Sequence, residues 1–239
     1  MTASNKAGKV LLFSHSKLID FANVISDALS YNEIDNEICT QIDPSLYANL
    51  WIGIWHRSQI LPPRRITYNT EALRLPKWSS SLPSYFSGSL DIWDYSANHI
   101  PIIQNWGFDN CYHLPMAYSP YYERTFQSSC KDIDVFMYGA RSERRQKIVD
   151  KMRERGLHTV WCGEHGDFDY GSKRDELIGR SKIVVSVCSE SPELFQTNDF
   201  SRLSFLIANR VFTVSERIGD SVVEDQWNDK IIMRNYDDI

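Results

Sequence analysis

The sequence has few cysteines and no long hydrophobic run. Its five cysteines, in a chain of 239 residues, are odd in number, widely spaced and without a C-x-x-C pair. That pattern is typical of reduced thiols rather than of a disulfide framework. No stretch approaches the roughly 20 apolar residues of a membrane span, and the polar residues 1–9 do not fit a signal peptide. These absences predict a cytoplasmic protein without a transmembrane segment.

Several motifs of nucleotide and hydrolytic chemistry are also absent. The chain contains neither G-x-x-x-x-G-K-[ST] nor G-x-G-x-x-G, which counts against a P-loop NTPase and a dinucleotide oxidoreductase. It has no G-x-S-x-G elbow, and the pair Cys162 and His165 lacks the second pair of ligands that a zinc site needs. With 26 basic and 31 acidic residues, the net charge of -5 argues against a general nucleic-acid binder.

Short apolar runs alternate with helix-length segments along the whole chain, the pattern of mostly parallel sheets covered by helices. Strands are predicted at 10–13, 37–42, 50–55, 66–69, 90–93, 111–114, 135–138, 159–161, 183–187 and 211–214. Helices are predicted near 19–29, 98–106, 142–155, 174–179 and 200–208. We therefore expect an α/β fold of two small Rossmann-like halves facing each other across a cleft, at 1–118 and 131–239, with a linker at 119–130.

Candidate catalytic residues in the first half follow its predicted strands. Ligands of open parallel sheets bind beyond the carboxyl ends of the strands, and the groups found there are Glu71, His15 and Asp94. Each could act as a general base toward a substrate hydroxyl, and we rank them in that order. The alternative for Asp94 is an ordinary role as the N-cap of the following helix.

Candidate anion-binding residues open the helix predicted at 142–155. Gly139 leads into Arg141, Arg144 and Arg145, and cations at a helix N-terminus oppose the helix dipole by roughly 0.3–1 kcal/mol each. A phosphate bound by the helix amides and the guanidinium groups would relieve that conflict, and a glycine would let the backbone approach it closely. The alternative is a solvated basic face, because further lysines and arginines follow along the helix.

Carboxylates of the second half admit two further readings. Asp199, just before a predicted helix, could accept hydrogen bonds from ribose hydroxyls or could serve as an N-cap. Two D-x-D triplets, Asp132 with Asp134 and Asp167 with Asp169, could hold a divalent metal that bridges a diphosphate, or could be chance placements.

Several segments together resemble two-domain glycosyltransferases of the GT-B type. The run 134–145, DVFMYGARSERR, resembles the opening of their donor-binding domain, and the closest likeness is to small capsule- and algal-virus-type enzymes. Further similar segments stand, in order, at 68–71, 92–98, 114–118, 174–178, 181–186 and 199–216. The order of these segments, over about residues 66–216, is more specific than any one of them.

The resemblance implies transfer of a hexosyl or deoxyhexosyl group from a nucleotide diphosphate-sugar to a hydroxyl of a glycan acceptor. No metal and no cofactor other than the donor is implied. On the matching positions, Gly139, Arg141 and Arg144 would contact the diphosphate, and Asp199 the ribose. The sequence leaves open an inverting or a retaining reaction.

The remaining implied donor-binding residues are Glu190, Arg202 and Glu216, the last near the nucleotide. The family's acidic pair with seven intervening residues is not kept, because Asn198 stands eight positions beyond Glu190. Two alternatives stay open: a metal-dependent transferase that uses a D-x-D triplet, and a non-catalytic nucleotide-binding interaction module.

Overall fold

Two parallel β-sheets organise the chain, one in each of the units Met1–Tyr121 and Tyr122–Ile239. The computed structural model describes residues 8–54, 61–125, 127–166, 171–195, 197 and 200–239. No helix in these ranges is long and apolar enough to span a bilayer. The architecture is therefore α/β, with all strand pairs parallel in both sheets.

The sheet of the first unit has six strands in the order β2-β1-β3-β4-β5-β6. Its strands are β1 (Val10–Ser14), β2 (Asn36–Cys39), β3 (Leu50–Ile54), β4 (Arg65–Asn69), β5 (Asp91–Asp94) and β6 (Cys111–His113). Its helices are α1 (Ile19–Tyr31), α2 (Pro76–Ser79), α3 (Leu82–Phe86) and α4 (Ile100–Asn105). The strand order reverses between β1 and β3, and such a reversal is where doubly wound sheets bind ligands.

The sheet of the second unit has five strands in the order β11-β10-β9-β7-β8. Its strands are β7 (Ile133–Tyr138), β8 (Thr159–Cys162), β9 (Ser181–Ser186), β10 (Thr213–Glu216) and β11 (Ile232–Arg234). Its helices are α5 (Glu143–Glu154), α6 (Ser172–Arg180), α7 (Pro192–Phe195), α8 (Phe200–Ala208) and α9 (Ser221–Trp227). Here the strand order reverses between β7 and β9, so both units repeat one doubly wound plan.

Local sequence explains why the main elements form where they do. Ser142 is the N-cap of helix α5, and its hydroxyl accepts a hydrogen bond from the Arg145 amide at 3.3 Å. The helix ends before Gly156, which has φ +79°. Its face around Ile148 and Val149 packs on the apolar side chains of β7, β8 and β9. The predicted helix at 142–155 is thereby confirmed.

The sequence patterns missed several short elements. Helices α2 and α3 each carry a proline in the first turn, where its fixed φ favours a helix start, yet prolines in a run of serines are also typical of loops. Strand β2 ends at Cys39 rather than at residue 42. Helices α7 and α9 and strand β11 were not predicted, because each is too short to show a clear period.

Candidate functional site

The strand-order reversal of the second unit gathers residues from four separate segments. Gly139 follows β7 and leads to α5, while Cys188 follows β9. Glu216 ends β10, the strand beside β9, and Arg202 lies in α8. Since ligands of open parallel sheets bind at the carboxyl ends of the strands beside such a reversal, this edge is the candidate site.

An ion pair joins Arg144 and Glu216 at this edge of the sheet. The Arg144 guanidinium donates to both carboxylate oxygens of Glu216, at 2.5 and 3.1 Å, and the Glu216 side chain is 1% exposed. Glu216 also accepts the amide of Cys188 at 2.9 Å. Burial lowers the pKa of Arg144, but the hydrogen bond and charge of Glu216 outweigh it, so the pKa rises above its usual value.

Two further guanidinium groups lie against Gly139, and with Arg144 they form what we call the arginine cluster: Arg144, Arg145 and Arg202. Arg145 donates to the carbonyl oxygens of Ala140 and Val187 at 2.7 and 2.8 Å. Arg202 lies over the Tyr138 ring, with Cζ 4.6 Å from the ring centroid. Both side chains are more than nine-tenths buried.

Position 139 requires a glycine, both because of its backbone conformation and because neighbouring side chains leave no room for a Cβ atom. Its φ is +122°, a region that side chains rarely adopt. A Cβ atom there would lie 2.8 Å from Nη1 of Arg145 and 3.0 Å from Nη2 of Arg202. The glycine therefore lets two cations approach the backbone directly after β7.

Tyr236, near the end of the sequence, contacts Arg144. Its ring lies 4.2 Å from Cζ of Arg144, and its hydroxyl donates to the Arg144 carbonyl oxygen at 2.7 Å. Burial, the largest influence, raises the pKa of Tyr236. Sequence reasoning missed this residue, because nothing in the local pattern links it to a helix start 92 residues earlier.

The other expected donor-binding residues are placed differently. Arg141 is exposed in the loop between β7 and α5. Glu190 contributes its carbonyl oxygen, which accepts from Arg144 at 2.9 Å, while the residue as a whole is exposed. Asp199 lies outside the described residues, as does Asn198.

The first unit places the three candidate bases after the carboxyl ends of three strands. His15 follows β1 and is partly exposed. Glu71 follows β4, and its amide is bound by the Asn69 side chain at 3.2 Å. Strands β1 and β4 are separated by β3, so their ends lie about 10 Å apart.

Asp94, by contrast, is fully buried. Its carboxylate accepts from the Asn69 side chain at 2.7 Å and from the Ser96 amide at 2.8 Å, and it pairs with Nδ1 of His99 at 2.9 Å. The N-cap of the following 3₁₀ helix, Ala97–His99, is Ser96 rather than Asp94. Asp94 therefore organises the loop after β5 from inside the unit.

His99 is a second residue that the sequence analysis missed. It is 1% exposed, and its Nε2 has no hydrogen-bond partner in the part of the chain that the structure describes. The contact with Asp94 fixes the ring, since the group bound at one imidazole nitrogen sets the role of the other. Asp94 and His99 are five residues apart, and this spacing did not predict their contact, because the contact depends on the turn between β5 and α4.

Replacing Asp94 with asparagine should destabilise the first unit by about 1–3 kcal/mol, because it leaves buried donors without an acceptor. The amide would present a donor where Asn69, Ser96 and His99 supply donors. Urea unfolding measures the change, with Asp91→Asn, at the start of the same strand, as the matched control. Equal stability of the two variants would contradict the structural role of Asp94.

The first D-x-D triplet lies at the opposite edge of the second sheet, at the amino end of β7. Asp132 is bound by Arg180, with Nε at 2.9 Å and Nη2 at 2.5 Å, and this hydrogen bonding lowers its pKa to about 2. Asp134 is bound by Lys182 at 2.6 Å, which lowers its pKa. Asp167 and Asp169 fall outside the described residues. Within the described ranges, no group of three or more His, Cys, Asp or Glu is arranged to hold a metal ion.

The fold and site together define an α/β protein with two doubly wound parallel sheets and an arginine-rich cluster at the carboxyl ends of the strands of the second. No family model matches the sequence. The chain is 26% identical over 180 residues to the uncharacterized protein L140 of Acanthamoeba polyphaga mimivirus, which covers 73% of this chain and 56% of that protein. It is 25% identical over 130 residues to the uncharacterized protein L137 of the same virus, covering 53% of this chain and 17% of that protein. The chain thus spans about half the length of the first relative and less of the second, and both relatives are viral.

Proposed function

We propose that the protein is a metal-independent glycosyltransferase that moves a sugar from a nucleotide diphosphate-sugar to a hydroxyl of a glycan acceptor. The observation that supports this most directly is the meeting of the arginine cluster, Gly139 and the start of α5 at the strand-order reversal of the second unit. That edge is the standard ligand position of a doubly wound sheet. A helix N-terminus with guanidinium groups beside it is suited to bind a phosphate.

The chemistry follows from the charge that builds on the leaving diphosphate. In the proposal, the arginine cluster and the α5 amides stabilise that charge, so no metal ion is needed. Glu216 holds Arg144 in one position, so little reorganisation accompanies transfer. Arg141, exposed at the loop tip, would close on the phosphates from solvent.

The acceptor side requires a base only if the reaction inverts the sugar configuration. Glu71 and His15 remain the first candidates, since both are partly exposed after strand ends of the first unit. Asp94 would act from within its buried pair with His99. Loss of turnover with retained donor binding in Glu71→Gln or His15→Gln would assign the base.

Calorimetric titration with UDP, GDP, dTDP and CMP, each with magnesium or manganese and again with EDTA, tests the proposal. We expect one nucleotide to bind at micromolar concentration and to do so equally well in EDTA. Binding that requires the metal would favour a D-x-D enzyme. Absence of binding by all four would contradict the proposal, and binding without any sugar transfer would favour a nucleotide-binding module.

Arg141→Ala is the cleanest variant for the same titration. Its side chain is exposed, so the fold should be unaffected, while loss of a charge-assisted hydrogen bond should weaken nucleotide binding by about 1–3 kcal/mol. Lys147→Ala, an exposed cation one helical turn into α5, serves as the matched control. Equal loss in both variants would indicate a general electrostatic effect rather than a phosphate contact.

A further inference from the structure

The loop between β7 and α5 carries a run of backbone amides that lack an acceptor. Among the described residues, no hydrogen-bond partner is found for the N–H groups of positions 140–144. A helix N-terminus leaves its first amides without a partner, which accounts for positions 142–144. Ala140 and Arg141 precede the helix and are both exposed, so the helix start alone does not explain them. We call the N–H groups of positions 140–144 the amide run.

The carbonyl oxygens of the same loop are bound by side chains from inside the unit. The Gly139 carbonyl oxygen accepts from the indole Nε1 of Trp161 at 3.0 Å. The Ala140 carbonyl oxygen accepts from Nη1 of Arg145 at 2.7 Å. The Trp161 side chain, in β8, is 4% exposed, and Arg145 is buried as well. Both carbonyl oxygens therefore point into the unit and away from solvent.

The planarity of the peptide bond converts these two contacts into a direction for two amides. In a trans peptide the C=O and N–H groups lie in one plane and point in opposite directions. The peptide between Gly139 and Ala140 turns its N–H outward, because Trp161 holds its carbonyl oxygen inside. In the same way, the bond from Arg145 to the Ala140 carbonyl oxygen turns the Arg141 N–H outward.

The first of these peptides depends on Trp161 more than an ordinary peptide would, because it follows a glycine. Gly139 has φ +122°, and glycine adopts positive and negative φ about equally readily. The backbone at Gly139 thus does not by itself fix the plane of the next peptide. A carbonyl oxygen turned outward would repel a phosphate oxygen, whereas an N–H would bind it. The Trp161 N–H selects the second orientation.

We propose that Trp161 is a positioning residue of the donor site, with Arg145 acting on the next peptide. The indole does not contact the substrate. It holds the amide run so that the N–H groups of Ala140 and Arg141 bind oxygens of the leaving diphosphate, and donors fixed in advance need little reorganisation when charge develops. The inference rests on the proposed function, because it takes a nucleotide diphosphate as the ligand.

Titration of wild type and Trp161→Phe with UDP, GDP and dTDP by calorimetry, and with uridine, guanosine and thymidine by ligand-observed NMR, tests the inference. Phenylalanine keeps an aromatic ring in the core but removes the N–H. We expect the diphosphate that wild type binds to bind the variant roughly tenfold more weakly, because a hydrogen bond to a charged oxygen is lost. Its nucleoside should bind both proteins equally. A purely structural role of Trp161 would change both affinities together or neither.

Trp227→Phe is the matched control, since it makes the same change at a buried indole at the end of α9. It should leave both affinities unchanged.

Benzothienylalanine at position 161, in which sulfur replaces the indole N–H, keeps the shape of the ring system and decides the outcome if Trp161→Phe fails to fold. It should reproduce the loss of diphosphate affinity. If wild type binds none of the three diphosphates, the proposed function fails and this inference fails with it. If wild type binds one of them and the replacements at position 161 bind it as tightly, only the positioning role of Trp161 is refuted.

Discussion

Replacing Glu216 with alanine should destabilise the second unit by about 3 kcal/mol, since it removes the buried partner of an ion pair and leaves the charge of Arg144, which is 22% exposed, without its counter-ion. Glu216 is 1% exposed and binds both Arg144 and the Cys188 amide. In the variant, Arg144 keeps the carbonyl oxygens of Cys188 and Glu190 as acceptors but loses both of its bonds to the carboxylate. Urea unfolding of the whole chain, followed by a tryptophan signal, measures the loss.

The matched control for that variant is Glu143→Ala. Glu143 pairs with Lys147 on the exposed face of the same helix that carries Arg144, and exposed pairs at this spacing contribute about 0.3–0.5 kcal/mol. A loss from Glu216→Ala no larger than this would mean that water replaces the carboxylate easily. In that case the site would be less rigid than the hydrogen bonds indicate.

Gly139→Ala should weaken nucleotide binding by about tenfold or more and lower stability by about 1–3 kcal/mol. The stability loss arises from a non-glycine residue at φ +122°. The affinity loss arises because the new methyl group would stand 2.8 Å from Arg145 and 3.0 Å from Arg202, so both guanidinium groups must move. Calorimetry with the nucleotide that wild type binds, together with thermal unfolding, measures both effects.

Gly156→Ala separates the two causes. Gly156 also has a positive φ, +79°, but nothing lies within 4 Å of a Cβ placed there. This control should lose stability by strain and keep its affinity for nucleotide. If it loses affinity as strongly as Gly139→Ala, the arginine cluster is not what binds the phosphates.

The parts of the fold that were predictable from sequence are those specified over a few residues. Ser142 and Gly156 bound α5 through hydrogen bonds and backbone angles that depend on near neighbours. Buried parallel strands such as β1 appear as continuous apolar runs. The α/β class and the position of Gly139 at a strand end followed from such local signals.

The parts that were not predictable depend on contacts between distant segments. Arg145 was predicted only as one of three arginines that a phosphate could contact at the start of α5, whereas the structure brings it to the carbonyl oxygen of Val187. Likewise, Asp94 is buried and binds His99, and the spacing of residues in the sequence could not predict that burial. The resemblance implies only that Glu216 lies near the nucleotide, and nothing around it in sequence indicates its ion pair with Arg144.

The contacts of Arg144 also bear on how this unit reaches its native state. The side chain meets Glu216 across 72 residues, and its carbonyl oxygen meets Tyr236 across 92. Closing such long loops is entropically costly, and pairings of high sequence separation slow folding. The guanidinium of Arg144 therefore reaches its final position only when the distant strands have assembled, so an intermediate that contains α5 and β7 alone would expose an unpaired cation.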